Sequence, residues 1–155
     1  MTTVTQRKYS WLALAGFIVA VAVVAVIGAV AAADAKEIYG ALDQPPWAPP
    51  AWLFGPVWTV LYLMLAVSGW LYWRDNGGAV GLAVYGIGLV VNAAWTPLFF
   101  AGGAYGLALA DIVLLDITVI VTIVLFRRPA GWLQFPYLAW ILYATALNIA
   151  ILALN

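Results

Sequence analysis

The chain has 155 residues and no net charge, and 67% of its residues are hydrophobic and only 8% charged. An ordinary water-soluble domain carries roughly 25% charged residues, so the composition excludes this class of protein. It contains no Cys and no His; this excludes disulfides, thiol nucleophiles, imidazole bases and the usual protein ligands of zinc and haem, so we expect no metal site. The few basic residues form no patch able to neutralise several phosphates, and nucleic acid is therefore not an expected partner.

Long uncharged segments dominate the chain and give it a mean hydropathy of +1.06. Each is longer than the roughly 20 apolar residues that cross a bilayer, and they cover residues 9–33, 44–73, 76–110 and 129–155. With the turn-rich breaks they predict helices near residues 10–33, 52–73, 79–100, 105–126 and 132–153. Backbone polar groups in lipid must bond internally, and the segments lack the alternation of a barrel strand. The sequence therefore predicts one all-α domain over residues 1–155, an integral membrane bundle of five transmembrane helices in the lipid bilayer.

The first predicted helix shares features with a secretory signal peptide. Arg7 and Lys8 precede its apolar stretch, and three alanines, 31–33, end it. The stretch is nevertheless longer than the usual apolar core of about 7 to 15 residues in such a peptide. We therefore expect this segment to be retained as a transmembrane helix.

The connections between the predicted helices indicate an orientation. Segment 34–51 is the one long connection; the other breaks are short and rich in turn formers, so neighbouring helices should be antiparallel. This arrangement leaves only Lys36 at one side of the bilayer. The basic residues at the other side are Arg7, Lys8, Arg74, Arg127 and Arg128. By the positive-inside rule we expect a multi-pass cell-membrane protein with a cytoplasmic amino terminus and with its carboxyl terminus and loop 34–51 outside.

Polar and aromatic residues share one depth in four of the predicted helices. Trp58 and Asp111 lie six positions inside descending helices, and Trp95 and Asn148 lie five positions from the outer ends of ascending ones. At 1.5 Å per residue this level is about 8 to 9 Å below the outer helix ends, with Asn92 about one turn deeper. We therefore expect one layer of interacting groups near the outer face.

Asp111 and Asp116 are the carboxylates within the predicted spans. An intramembrane carboxylate costs several kcal/mol unless it is neutralised or solvated, so both should face the interior or a wet cavity. Their spacing places them about 140° apart around a helix, which excludes a catalytic dyad formed by these two alone. A helix-bonding role through a protonated Asp111 and a proton or substrate path both remain open.

Three groups of Trp, Pro, Tyr and Asn residues follow one another at characteristic spacings. They are Trp47-Ala-Pro-Pro-Ala-Trp52 with Gly55-Pro-Val-Trp58-Thr-Val-Leu-Tyr62, Asn92-Ala-Ala-Trp95-Thr-Pro97-Leu-Phe-Phe100, and Pro136-Tyr-Leu-Ala-Trp140 through Asn148. In order and spacing they resemble the tryptophan-rich sensory protein and translocator protein family (TspO, also called the peripheral-type benzodiazepine receptor family). The first helix matches only in being apolar.

The resemblance implies a five-helix bundle, commonly a homodimer, with a pocket for porphyrins such as protoporphyrin IX and for synthetic ligands of the mammalian benzodiazepine-receptor type. It implies pocket residues in the loop and on the third and fifth predicted helices. They are Trp52, Asn92, Trp95, Trp140, Ala144 and Asn148. Asp111 matches the aspartate of the family's fourth-helix motif. With Trp47 in the loop and Trp58 in the shared layer, these residues form the predicted ligand-binding set.

The loop 44–52 is stiffened by its prolines and carries Trp47 and Trp52 above the shared layer, so it is interpreted as a lid over the pocket. A polyproline ligand for an adaptor domain is the competing interpretation. Leu107 stands where relatives often carry a further Trp, and Gly103 replaces a basic residue, so ligand preference should differ. The carboxyl terminus lacks the aromatic and basic residues of the cholesterol-recognition pattern, and cholesterol binding is not expected.

The leading functional hypothesis is a tetrapyrrole-binding sensory or regulatory membrane protein with no tightly bound cofactor. Some bacterial relatives promote light-driven oxidative breakdown of protoporphyrin, which by resemblance makes Trp52 and Trp140 candidate catalytic residues of a porphyrin-degrading enzyme. A chain without His or Cys favours a metal-free porphyrin over haem. Transport of porphyrins or other flat apolar molecules is the third hypothesis, although the sequence shows no evident inverted repeat.

Overall fold

The structure is a computed structural model that describes the backbone of residues 4–155 and the side chains from residue 9 onward. Within that range the regular elements are all helical. The α-helices are α1 (Val4–Ala31), α2 (Ala35–Ala41), α3 (Phe54–Arg74), α4 (Ala79–Thr96), α5 (Tyr105–Phe126) and α6 (Phe135–Leu154). All but α2 belong to helices long and apolar enough to cross a membrane. The predicted fold of five transmembrane helices is therefore confirmed.

Short helical turns extend three of these spans. The 3-10 turns Ala51–Leu53 and Gly131–Gln134 lead into α3 and α6. The regular part of α4 ends at Thr96, and Pro97–Ala101 form a π-helical turn. Proline has no backbone N–H with which to continue the α-helical hydrogen-bond ladder. The regular α-helix therefore ends at Thr96, before the predicted end near residue 100, and the chain continues as a wider helical turn.

Segment 34–51 contains a helix that the sequence analysis assigned to a loop. The sequence of α2, Ala-Lys-Glu-Ile-Tyr-Gly-Ala, is rich in good helix formers. Its Tyr39 is buried and donates a hydrogen bond to the Pro49 carbonyl at 3.0 Å. Burial, with a smaller contribution from Tyr143, raises the pKa of Tyr39 to about 12, so the hydroxyl keeps the proton that this bond requires. The bond to the Pro49 carbonyl thus holds α2 against the chain that follows it.

The helices do not pack in chain order. α1 packs against both α3 and α4, α4 packs against α5, and α5 packs against α6. α3 and α4, although the short turn 75–78 joins them, thus each pack more extensively against α1 than against each other. The end of the bundle that carries α2, the turn 102–104 and the carboxyl terminus is called the α2 end. The opposite end carries the turns 75–78 and 127–130. The side chains of Arg7 and Lys8, on which the orientation prediction partly rests, lie outside the described residues.

The core has two hydrophobic clusters. One runs through the middle of the bundle around Leu65, Leu115 and Ile141, and the other lies at the α2 end around Phe99 and Ile112. Many apolar side chains on the outer faces are exposed, as expected where lipid is the solvent. The candidate site lies beside the second cluster.

Candidate functional site

A cavity of about 790 Å³ opens at the α2 end between α1, α2, α3 and α4. This volume lies within the range of roughly 300 to 1,000 Å³ found for small-molecule sites. One wall is built from small side chains of α1 and the facing wall from aromatic side chains of α3 and α4. The arrangement leaves an open apolar space with aromatic rings on one side.

The small-residue wall belongs to α1 and to Ala32, the residue that follows it. Ala25, Gly28, Ala29 and Ala32 line the cavity, and their spacing of three and four residues places them on one face of the helix. A Cβ built on Gly28 would lie 3.6 Å from the Thr96 hydroxyl oxygen. None of the residues on this face is in the predicted ligand-binding set. The signal of this face in the sequence was the run of Ala and Gly at helical spacing.

Aromatic rings form the facing wall. Trp58 is stacked on Tyr62 with ring centroids 5.3 Å apart, and both line the cavity. Trp95 is 7% exposed and stacks on Phe99 at 5.0 Å. Trp52, by contrast, is 71% exposed and stands at the rim of the cavity. Three of the predicted ligand-binding residues therefore line this space.

Asn92 lies behind the aromatic wall. It accepts a hydrogen bond from the Tyr62 hydroxyl at 3.0 Å, and its amide nitrogen donates to the Tyr137 hydroxyl at 2.7 Å. Asn92 is buried and is not among the residues that line the cavity. It positions Tyr62 and links α3, α4 and α6.

Asn148 plays the same part for Trp95. It accepts a hydrogen bond from the Trp95 indole nitrogen at 3.2 Å and donates to the Tyr105 carbonyl at 3.0 Å. The first of these bonds places Trp95 and Asn148 at one level, as the count of depth predicts. Asn148 is 1% exposed and does not line the cavity. It holds the indole of Trp95 in place from α6.

The other predicted residues of α6 also lie outside the cavity. Trp140 packs edge-on against Phe54 at 5.9 Å, and Phe54 is the residue that lines the cavity. Ala144 is buried in the cluster that contains Trp95. The structure therefore does not bring Trp140 and Trp52 together on one cavity wall.

Loop 44–52 is tied to α6. The Trp47 ring packs edge-on against Tyr143 at 5.8 Å, and the Tyr143 hydroxyl donates to the Trp47 carbonyl at 2.8 Å. Asp43 and Asn155 exchange two hydrogen bonds of 3.0 Å. Of the two loop tryptophans predicted to form a lid, only Trp52 reaches the cavity. Trp47 instead packs against Tyr143, in the middle of α6.

Asp111 and Asp116 lie away from the cavity as well. Asp116 is buried and accepts a hydrogen bond from the Thr145 hydroxyl at 2.8 Å. Its second carboxyl oxygen and one oxygen of Asp111 have no hydrogen-bond partner among the described residues. Neither residue lines the cavity. Of the two carboxyls, Asp116 thus bonds α5 to α6.

Comparisons with known proteins give a consistent result. Residues 17–154 match the TspO/MBR family. The chain is 41% identical over 129 residues to the tryptophan-rich protein TspO of Chlorobaculum tepidum, which covers 78% of this chain and 81% of that protein. It is 37% identical over 118 residues to the translocator protein of Ovis aries, covering 71% and 70%. It is 33% identical over 148 residues to the tryptophan-rich sensory protein of Cereibacter sphaeroides, covering 94% and 92%. The family match includes residues 17–31 of α1, beyond the residues that carried the resemblance in the sequence.

Proposed function

Because the chain belongs to the TspO/MBR family, we propose that this membrane protein binds protoporphyrin IX or a related tetrapyrrole in the cavity between α1 and α4 and acts as a sensory or regulatory protein. The cavity with its aromatic wall is the observation that carries the proposal. The name of the relative from Cereibacter sphaeroides, a tryptophan-rich sensory protein, supports the sensory part.

The chemistry of the walls suits a flat apolar macrocycle. Aromatic rings attract one another in offset-stacked or edge-to-face arrangements, worth about 0.5 to 1.5 kcal/mol per pair beyond the area that they bury. Trp52 and Trp58 present such rings to the cavity, while Ala25 and Ala29 on the opposite wall leave room for a planar ligand. A ring system inserted between these walls would replace lipid or water on both of its faces.

The geometry supports binding better than transport. A transport path through Asp111 and Asp116 would require these carboxyls to face the cavity, and neither lines it. Binding requires only the aromatic wall, the small-residue wall and the network that fixes them. The role of a binding protein is therefore the simpler interpretation.

A light-dependent enzyme remains a second candidate because Trp52 is both exposed and at the rim of the cavity. An indole in that position can contact a bound porphyrin that acts as its own photosensitiser. Trp140 lies behind Phe54, so in this second proposal Trp52 contacts the photoexcited porphyrin, dissolved dioxygen is the oxidant, and Trp140 supports the wall.

Quenching of tryptophan fluorescence by protoporphyrin IX in detergent tests the main proposal. We expect saturable quenching in the dark, with affinity about tenfold lower in Trp52→Ala, because one stacking partner is lost. Trp132→Ala is the matched control, since Trp132 is also exposed but lies on the turn leading into α6 at the opposite end. Quenching that does not saturate, or that weakens equally in both variants, would contradict binding in this cavity.

A further inference from the structure

Lys36 is the one charged side chain among the residues that line the cavity, all of which lie in the described part of the chain. It is the second residue of α2, next to the cavity-lining residues Ala32 and Ala35. Its side chain is exposed. The ammonium group therefore stands at the mouth, where an apolar interior meets solvent.

The charge of Lys36 is not neutralised within the protein. Over residues 9–155 the ion pair present joins Arg74 to Asp75 at the opposite end of the bundle. Asp34 and Glu37 flank Lys36 in sequence, but neither lines the cavity. Lys36 thus has its positive charge and its donor hydrogens available to a ligand.

The hydroxyl groups on the α3 wall cannot take over this role. The Thr59 hydroxyl donates its proton to the Gly55 carbonyl at 2.9 Å, and the Tyr62 hydroxyl donates to Asn92 at 3.0 Å. Each hydroxyl has a single proton to donate. The Thr96 hydroxyl also lines the cavity but is uncharged. Because a charged donor forms stronger hydrogen bonds with an anion than a neutral hydroxyl does, an anionic group that enters the cavity finds its strongest partner at Lys36.

We propose that Lys36 selects ligands that carry a carboxylate at the edge of a flat apolar body. The apolar body enters between the small-residue wall of α1 and the ring of Trp58, and the carboxylate stays at the mouth as the ion-pair partner of the Lys36 ammonium. This inference rests on the proposed use of the cavity as a binding site. It adds a charge requirement that the aromatic wall does not impose, because stacking is indifferent to the charge of a distant substituent.

Two pyrene probes test the charge requirement without a tetrapyrrole. Pyrenebutyric acid and pyrenebutanol share the flat apolar body and differ in the terminal group, and energy transfer from tryptophan to pyrene reports binding in detergent at neutral pH. The native protein should bind the acid about fivefold more tightly than the alcohol, which corresponds to about 1 kcal/mol, the upper range for a solvent-accessible ion pair. Lys36→Gln should bind both probes equally, and Lys36→Arg should keep the preference.

Arg74→Gln is the charge-matched control because it removes one positive charge at the opposite end of the bundle. It should leave the preference for the acid unchanged. Equal binding of the two probes by the native protein, a preference that survives in Lys36→Gln, or no saturable binding of either probe would overturn the proposal. Protoporphyrin IX titrated in parallel separates the two hypotheses, since a charge preference without porphyrin binding would reject the tetrapyrrole and retain the role of Lys36.

Discussion

At the scale of single residues, the side chains behind the cavity matter as much as those that line it. Asn92 bonds Tyr62 on α3 and Tyr137 on α6. Asn148 bonds Trp95 on α4 and the Tyr105 carbonyl at the start of α5. A buried amide of this kind is costly to remove because its partners are left unsatisfied. We therefore expect these residues to act on ligand binding through the rings that they hold.

Asn148→Ala tests this positioning role. It removes the acceptor of the Trp95 indole and the donor to the Tyr105 carbonyl, and we expect a loss of about 1 to 3 kcal/mol in the free energy of unfolding. Thermal unfolding in detergent measures the loss. Asn155→Ala is the control, because Asn155 also makes side-chain hydrogen bonds but is exposed to solvent. An Asn148→Ala protein as stable as the Asn155→Ala protein would show that the bond to Trp95 contributes little.

The two tryptophans suggested as catalytic residues make a second prediction at this scale. Under illumination, Trp52→Phe should abolish any protein-dependent breakdown of protoporphyrin IX, because phenyl is harder to oxidise than indole. Trp140→Phe should keep it, since Phe54 separates Trp140 from the cavity. Absorption spectra and product analysis after equal light doses provide the measurement. Loss of products in Trp140→Phe alone would place the reaction on the α6 side instead.

At the scale of elements, α1 forms a wall of the cavity, which its composition does not predict. The helix is almost uniformly apolar, so hydropathy predicts a membrane span and nothing more. The structure places Ala25, Gly28 and Ala29 against the cavity, whereas Val30 on the outer face is exposed. The partner of each helix face depends on the packing order around the bundle, which the sequence of one helix does not contain.

Ala29→Phe tests whether the face of α1 forms a ligand wall. Ala29 lines the cavity and is exposed within it, so a phenyl group should occupy the open space without disturbing the core. We expect protoporphyrin quenching to lose saturation while the unfolding temperature stays close to that of the native protein. Val30→Phe adds the same ring to the lipid-facing side of α1, where Val30 is 72% exposed, and should bind normally. Unchanged binding by Ala29→Phe would exclude this cavity as the porphyrin site.

Helix α2 shows what local patterns leave out. Segment 34–51 is rich in proline and tryptophan, which predicts an extended loop. Residues 35–41 are nevertheless helical. Helix α2 is stabilised by Tyr39, whose hydroxyl donates a hydrogen bond to the Pro49 carbonyl ten residues away. That contact is tertiary, so the propensity of a seven-residue segment cannot reveal it.

At the scale of the whole molecule, the sequence predicts the number of spans, their approximate bounds and the family. Charge segregation and span length suffice for the spans, because the bilayer imposes its thickness on every crossing helix. The family rests instead on the ordered motifs from Trp47 to Asn148. Which predicted residues face the cavity is decided by packing, and the structure divides them between the lining residues Trp52, Trp58 and Trp95 and supporting residues such as Asn92 and Asn148. Shared depth predicts that groups meet, whereas only the order of helices around the bundle decides which of them a ligand can touch.

The orientation in the membrane is a prediction for the whole molecule. Arg74, Arg127 and Arg128 lie at the opposite end and Lys36 at the α2 end, so the positive-inside rule places the mouth of the cavity outside the cell. A chain without cysteine allows a clean test with single-cysteine variants in intact cells. Asp34→Cys should react with a membrane-impermeant maleimide, and Asp75→Cys should react only after the cells are permeabilised. The reverse pattern would place the mouth in the cytoplasm, and a ligand would then have to reach the cavity from inside the cell.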